Sequence, residues 1–65
     1  MKLILTYHAK QRMAEKAITK QHIINAIKKG AKTKQTDGLL ASYGYIRIAY
    51  KIINDKYIIK TVMVE

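Results

Sequence analysis

His8 and Arg12 are the residues in this chain whose types and spacing best suit chemistry on a phosphate. Four positions apart, they share one face if the segment is helical. Imidazole titrates near neutral pH and can take or give a proton. A guanidinium grips phosphate through two parallel hydrogen bonds, so it orients as well as attracts. RNA brings its own nucleophile, the 2′-hydroxyl. Cleaving it asks the protein for a group to remove that proton, a group to protonate the leaving 5′-oxygen, and cations against the crowded phosphate. Protein side chains can supply all three with neither cofactor nor metal. The free amides at the start of a helix favour an anion as well.

Each of these residues also has a plain structural reading. A histidine near the start of an exposed helix is usually just a surface residue, and Arg12 with Glu15 makes an ordinary i, i+3 surface pair. The second histidine, His22, stands in the capping-box position of a following helix, which favours a local structural role. Tyr43 and Tyr45 suit strands for their shape alone, and Arg47, Lys51 and Lys60 suit a solvated sheet.

The composition narrows the partners. The 65 residues carry 13 Lys+Arg against four Asp+Glu, a formal charge of +9. Such an excess attracts polyanions, nucleic acid first, an acidic protein second and an anionic membrane third. A lysine-rich composition serving solubility is the alternative. One small domain over residues 1–65 is all this length allows, and a core of that size gains from a partner protein. With no cysteine, disulfides and thiolate zinc sites are excluded. The scattered histidines and carboxylates show no metal-ligand spacing. No apolar run approaches the roughly 20 residues that span a bilayer, and Met1–Leu5 is short for a signal peptide. The expectation is a cytoplasmic protein, or the C-terminal piece of a larger effector delivered into a target cell.

The elements that must position His8 and Arg12 follow from punctuation and period. Leu3-Ile4-Leu5 reads as a brief strand or extended lead-in. Thr6 caps a helix from Tyr7 to about Lys16, with Ala9, Met13 and Ala17 as its apolar stripe and His8, Arg12 and Glu15 on a polar face. Thr19 caps a second helix, stapled by Ile18 and Ile23. Ile23, Ile24 and Ile27 form its buried side, Lys28 and Lys29 meet the negative end of its dipole, and Gly30 reads as a left-handed stop. Beyond Gly30 the helical period ends. Ala31 to Thr36 suits a lysine-bearing edge strand, Asp37-Gly38 a turn, and Leu39 to Ser42 either loop or strand. Tyr43 to Ile53 reads as one strand, Asn54-Asp55 as a turn, and Lys56 to Val64 as its antiparallel return.

A two-residue turn at Asn54-Asp55 fixes the register of that hairpin. Ile46, Ile48, Tyr50 and Ile52 then lie opposite Met63, Thr61, Ile59 and Tyr57 on a core face. Tyr45, Arg47, Ala49 and Lys51 lie opposite Val64, Val62, Lys60 and Ile58 on a mixed basic and aromatic face. Two strands need the helices on their apolar side. The fold class is α+β, with two N-terminal helices packed on a three- to four-stranded antiparallel sheet.

The pattern T-x-H-A-x-x-R-M-x-E-K-x-I-T, carried by Thr6, His8, Ala9, Arg12, Met13, Glu15, Lys16, Ile18 and Thr19, resembles a bacterial family. That family opens with His-Ala-x-x-Arg-Met-x-Glu-Arg-Gly-Ile and is known mainly as a domain of unknown function. Its layout is similar to the RelE/ParE-like toxins and the wider group of barnase, EndoU, colicin and RelE folds. The resemblance implies a RelE-like domain and an RNA-cleaving toxin held in check by a cognate antitoxin or immunity protein. By position it makes His8 and Arg12 active-site candidates, joined by Thr61 and Arg47. In the register above Thr61 and Arg47 fall on opposite faces, so a bulge would have to bring them together. Lys16-Ala17 stands where the family tends to have Arg-Gly, which removes a bidentate phosphate clamp and the residue best suited to a left-handed corner.

Three functions follow as expectations. The first is an RNA endonuclease toxin, with His8, Arg12 and Thr61 catalytic, Lys16, Tyr45, Arg47, Lys51 and Lys60 along the RNA, and an acidic partner protein as restraint. The second is a non-catalytic basic nucleic-acid-binding module. The third is an interaction or inhibitor domain that docks on an acidic protein.

Overall fold

Thr6 divides a short apolar strand from a helix, and both neighbours form as its chemistry asks. The computed structural model describes residues 2–65. Strand β1 (Lys2–Leu5) leads into helix α1 (Tyr7–Lys16) and then α2 (Lys20–Lys29). Four strands follow, β2 (Ala31–Gln35), β3 (Gly38–Tyr43), β4 (Ile46–Ile53) and β5 (Lys56–Val64). Among the described residues they make one sheet in the order β1-β5-β4-β3-β2. Both helices lie on one face, α1 over β5 and α2 over β3 and β4.

The architecture is α+β with two helices as expected, but the sheet is five-stranded and mixed, not three- to four-stranded and antiparallel. Two features make the difference. Leu3-Ile4-Leu5 joins β5 in parallel, Leu3 beside Tyr57 and Leu5 beside Ile59. This follows because the α1–α2 excursion carries the chain to β2 at the far edge, running opposite to β1, and three hairpin reversals bring β5 back in the direction of β1. The apolar run from Tyr43 to Ile53 is broken by a turn at Gly44–Tyr45. Gly44 takes φ 60°, a left-handed value that side chains resist, so the single glycine converts one long strand into a hairpin. The preceding turn lies at Thr36–Asp37, one residue earlier than Asp37-Gly38, and Leu39 to Ser42 belong to β3. Asn54 and Asp55 both adopt positive φ, as the expected tight turn requires.

A bulge resets the hairpin's faces. The pairing runs as expected from Ile53↔Lys56 to Tyr50↔Ile59, then skips Lys60, so that Ala49 faces Thr61 and Ile48 faces Val62. From there the faces exchange. Val62 enters the core at 1% exposure, whereas Thr61 and Met63, expected inside, turn to the opposite face. The swap buries a valine in place of a threonine hydroxyl, which would cost about 1–3 kcal/mol if left without a partner. The completed core joins Ala9 and Ile18 to Ile23, Ala26 and Ile27 of α2, over Ala41, Ile48, Tyr50, Ile59 and Val62 of the sheet. Tyr50 stacks on Tyr57 with centroids 6.0 Å apart. Burial raises its pKa, with the Tyr57 phenol adding to the effect, so Tyr50 stays a neutral core side chain.

The helix ends also differ from expectation. Ala17, proposed for the apolar stripe, is exposed and ends α1 in the left-handed region at φ 56°. Ile18 takes the inward place instead, its amide bonded to the Met13 carbonyl at 2.9 Å. Gly30 is not left-handed but extended, at φ −77°. Its glycine is required for space, because a Cβ there would lie 2.4 Å from the Ser42 carbonyl oxygen and 2.6 Å from that of Ala26.

Candidate functional site

The candidate residues gather into two groups. On α1, His8, Arg12 and Lys16 succeed one another at four-residue intervals, forming a stripe about 12 Å long along the exposed side of the helix. His8 makes no hydrogen bond among the described residues. Arg12 pairs with Glu15 at 3.6 Å, with both side chains about half exposed (45% and 52%). The other histidine has a structural task. Thr19 accepts from the His22 amide at 3.2 Å, and His22 Nδ1 accepts from the Thr19 amide at 3.0 Å, closing a reciprocal capping box.

The second group stands on the sheet face that the helices leave open. Because of the bulge, Thr61 opposite Ala49 and Arg47 opposite Met63 share that face. Lys51, opposite Ile58, joins them. Each cation has a surface partner. Arg47 donates to Glu65 at 2.9 Å and to the Gly44 carbonyl at 3.3 Å. Lys51 and Lys60 converge on Asp37, with Nζ–Oδ2 distances of 3.7 and 3.5 Å, and Lys60 also donates to the Asp37 backbone carbonyl. Asp37 carries no sign of this role in the sequence, because its approach to Lys60 depends on the bulge and on a turn one residue earlier than expected. Exposed pairs of this kind are worth about 0.2–1 kcal/mol each. A phosphate can displace the carboxylates at little cost.

The open face is basic but not aromatic, contrary to the mixed face expected. Tyr45 sits in the β3–β4 turn, 76% exposed, beyond the end of the strands. Tyr43, Tyr50 and Tyr57 lie on the helix side, as their register with Ile46, Ile59 and Leu3 requires. Aliphatic and small side chains occupy the centre instead, with Thr61, Ala49, Leu40 and Thr33 in one row and Met63, Ser42 and Ala31 beside Arg47 in the next. Bases have no stacking platform there, so a nucleic acid on this face would be held through its backbone.

Thr6 is the hinge between the groups. Its hydroxyl accepts from the Ala9 amide at 3.1 Å, capping α1. The same hydroxyl donates toward the carbonyls of Ile59 at 2.9 Å and Lys60 at 3.2 Å. The start of α1 is thereby tied to the bulged stretch of β5, two residues before His8 and next in sequence to Thr61. The cap was legible in the sequence; the second bond was not, since it spans 53 residues. The structure thus unites His8, Arg12 and Lys16 on one helix, and Thr61, Arg47, Lys51 and Lys60 on one sheet face. The two groups lie on opposite sides of the sheet and are linked through the bond from Thr6 to β5, and Tyr45 stands apart from both.

Among the described residues no group of three or more His, Asp or Glu is placed to hold a metal ion. No helix there is long and apolar enough to cross a membrane. Neither a curated protein nor a solved structure matches the chain. Residues 5–64, which include every candidate residue described above, match a family described as a domain of unknown function, DUF4258, and the chain belongs to that family.

Proposed function

We propose that this protein is a toxin-type RNA endonuclease with a RelE-like layout, restrained by an acidic partner protein. The observation that carries the reading is the tie from Thr6 to the bulge. It ties the start of the helix bearing His8 and Arg12 to the strand bearing Thr61, and the bulge turns Thr61 to join Arg47 on the face the helices leave open. A strand of RNA held by both groups must therefore pass around the edge of the sheet. In the reaction the 2′-hydroxyl oxygen attacks phosphorus, and the bond from phosphorus to the 5′-oxygen breaks. The products are a 2′,3′-cyclic phosphate and a free 5′-hydroxyl. His8 moves the proton at one of the two oxygens, water exchanges the proton at the other, and Arg12 exchanges Glu15 for the phosphate as charge builds in the transition state. Lys16 holds the flanking backbone along α1, and Thr61, Arg47, Lys51 and Lys60 hold it where it crosses the open face of the sheet.

Purified wild-type protein and His8→Ala, each incubated with a structured RNA, test this directly. Wild type should leave cyclic-phosphate ends, and the variant should lose about 10²-fold or more of that rate with its circular dichroism unchanged. Equal cleavage by the two would remove His8 from the mechanism.

One observation favours the non-catalytic alternative. Among the described residues no hydrogen bond orients the His8 imidazole, and Arg12 is already engaged by Glu15. On that reading the protein binds RNA with an affinity that falls steeply with salt, as counterions return to the phosphates. Prolonged incubation would then yield no new ends.

A further inference from the structure

Four of the cations without acidic partners among the described residues line one rim of the molecule. No carboxylate occurs between Glu15 and Asp37, yet Lys28, Lys29, Lys32 and Lys34 fall in that interval. None of these four has a carboxylate within ion-pair distance among the described residues, whereas Arg12, Arg47, Lys51 and Lys60 all do. Lys28 and Lys29 end α2, and Gly30 passes the chain directly into β2, the outermost strand on that side of the sheet. All five residues of β2 are exposed. Lys32 pairs with Ala41 and Lys34 with Leu39, both of which join the core, so the two lysines project on the helix side beside the end of α2.

We propose that the outer edge of β2 receives an extended acidic protein segment, which adds to the sheet as a further strand with carboxylates at every second position. The free side of β2 offers alternating backbone donors and acceptors, which only another extended peptide chain can satisfy in full. Lys32 and Lys34 are spaced about 7 Å apart along the strand, the interval at which side chains of an added strand recur on one face. The same lysines exclude a second copy of this chain, since two β2 strands would bring like charges together on a protein of charge +9. The opposite edge is unsuited to this partner, because β1 has four residues, three of them apolar. The inference rests on the part of the functional reading that gives the protein an acidic partner, and not on cleavage.

The test uses the whole protein, isotope-labelled for NMR, and a capped nine-residue peptide alternating glutamate with valine or threonine. A control peptide of equal composition has its glutamates clustered at one end, and a uridine octamer serves as the nucleic-acid probe. The alternating peptide should shift the Ala31–Gln35 amides and slow exchange at every second one. Lys32→Glu with Lys34→Glu should weaken it about tenfold or more. Both lysines are exposed, and unchanged core amides at Ala9 and Ile23 would certify the fold. Should that variant misfold, Lys32→Gln with Lys34→Gln should still weaken binding severalfold. Equal binding of the clustered peptide, shifts confined to the open face, or occupation of β2 by the octamer alone would each overturn the proposal. Peptide binding without RNA cleavage would leave this inference standing and remove the nuclease.

Discussion

Helices α1 and α2 have equal length and opposite characters. Helix α2 buries Ile23, Ala26 and Ile27, begins at a reciprocal capping box, and ends where the chain passes tightly under β3. Helix α1 buries Ala9 alone, is exposed over most of its length, and ends on an alanine forced into the left-handed region. A helix of ten residues is marginal by itself, so packing decides its stability. Helix α2 is scaffold. Helix α1 rests on β5 through Ala9 and half-buried Met13, and it carries His8, Arg12 and Lys16 on its exposed side. The lesson is that the candidate chemistry is mounted on the less buried of the two helices, where a side chain can change partners without disturbing the core.

The greatest expected effect falls on the scaffold. Gly30→Ala puts a methyl group into two backbone oxygens that cannot retreat without separating α2 from β3. We expect a loss of about 3 kcal/mol, at the upper end for overpacking, read from chemical denaturation. A variant within about 0.5 kcal/mol of wild type would mean that the α2 end is as yielding as that of α1, and the contrast would fall.

This position shows what the sequence can and cannot disclose. Gly30 announces a helix end by its type, and the end is where it was expected, but the reason for glycine is a carbonyl twelve residues later. The Thr6 and Thr19 caps and the Asn54-Asp55 turn are all legible because their partners lie within a few residues. The Gly44 turn was hidden by the apolar residues on both sides of it. The bulge at Lys60 was hidden because strand period alone cannot reveal where a ladder skips a residue. That one skip decides which face Thr61 occupies, so half of the candidate site rests on a feature the local pattern does not mark. The α1 half, by contrast, was readable from four-residue spacing.

The N-caps test the comparison next. Thr6→Val keeps the shape but removes a hydroxyl that caps α1 and also reaches β5, whereas Thr19→Val removes only a local cap. Thr6→Val should cost about 2 kcal/mol and Thr19→Val about 1 kcal/mol. Amide exchange should accelerate throughout α1 in the first and chiefly in the opening turn of α2 in the second. The reverse order would show that α1 does not depend on its tie to the sheet.

The smallest effect has the opposite sign. Ala17 sits at φ 56°, where the Cβ of an L residue crowds the following carbonyl, and it points to solvent. Ala17→Gly relieves that crowding without opening a cavity. The freer unfolded chain offsets part of the gain, because glycine has more conformations to lose. A net stabilisation of about 0.5 kcal/mol, seen as a rise in the denaturation midpoint with unchanged slope, is the expected outcome. The gain should appear as slower exchange in the last turn of α1 and leave α2 untouched. If Ala17→Gly instead destabilises the protein, the corner is held by contacts of the alanine methyl, and α1 is less loosely mounted than its burial implies.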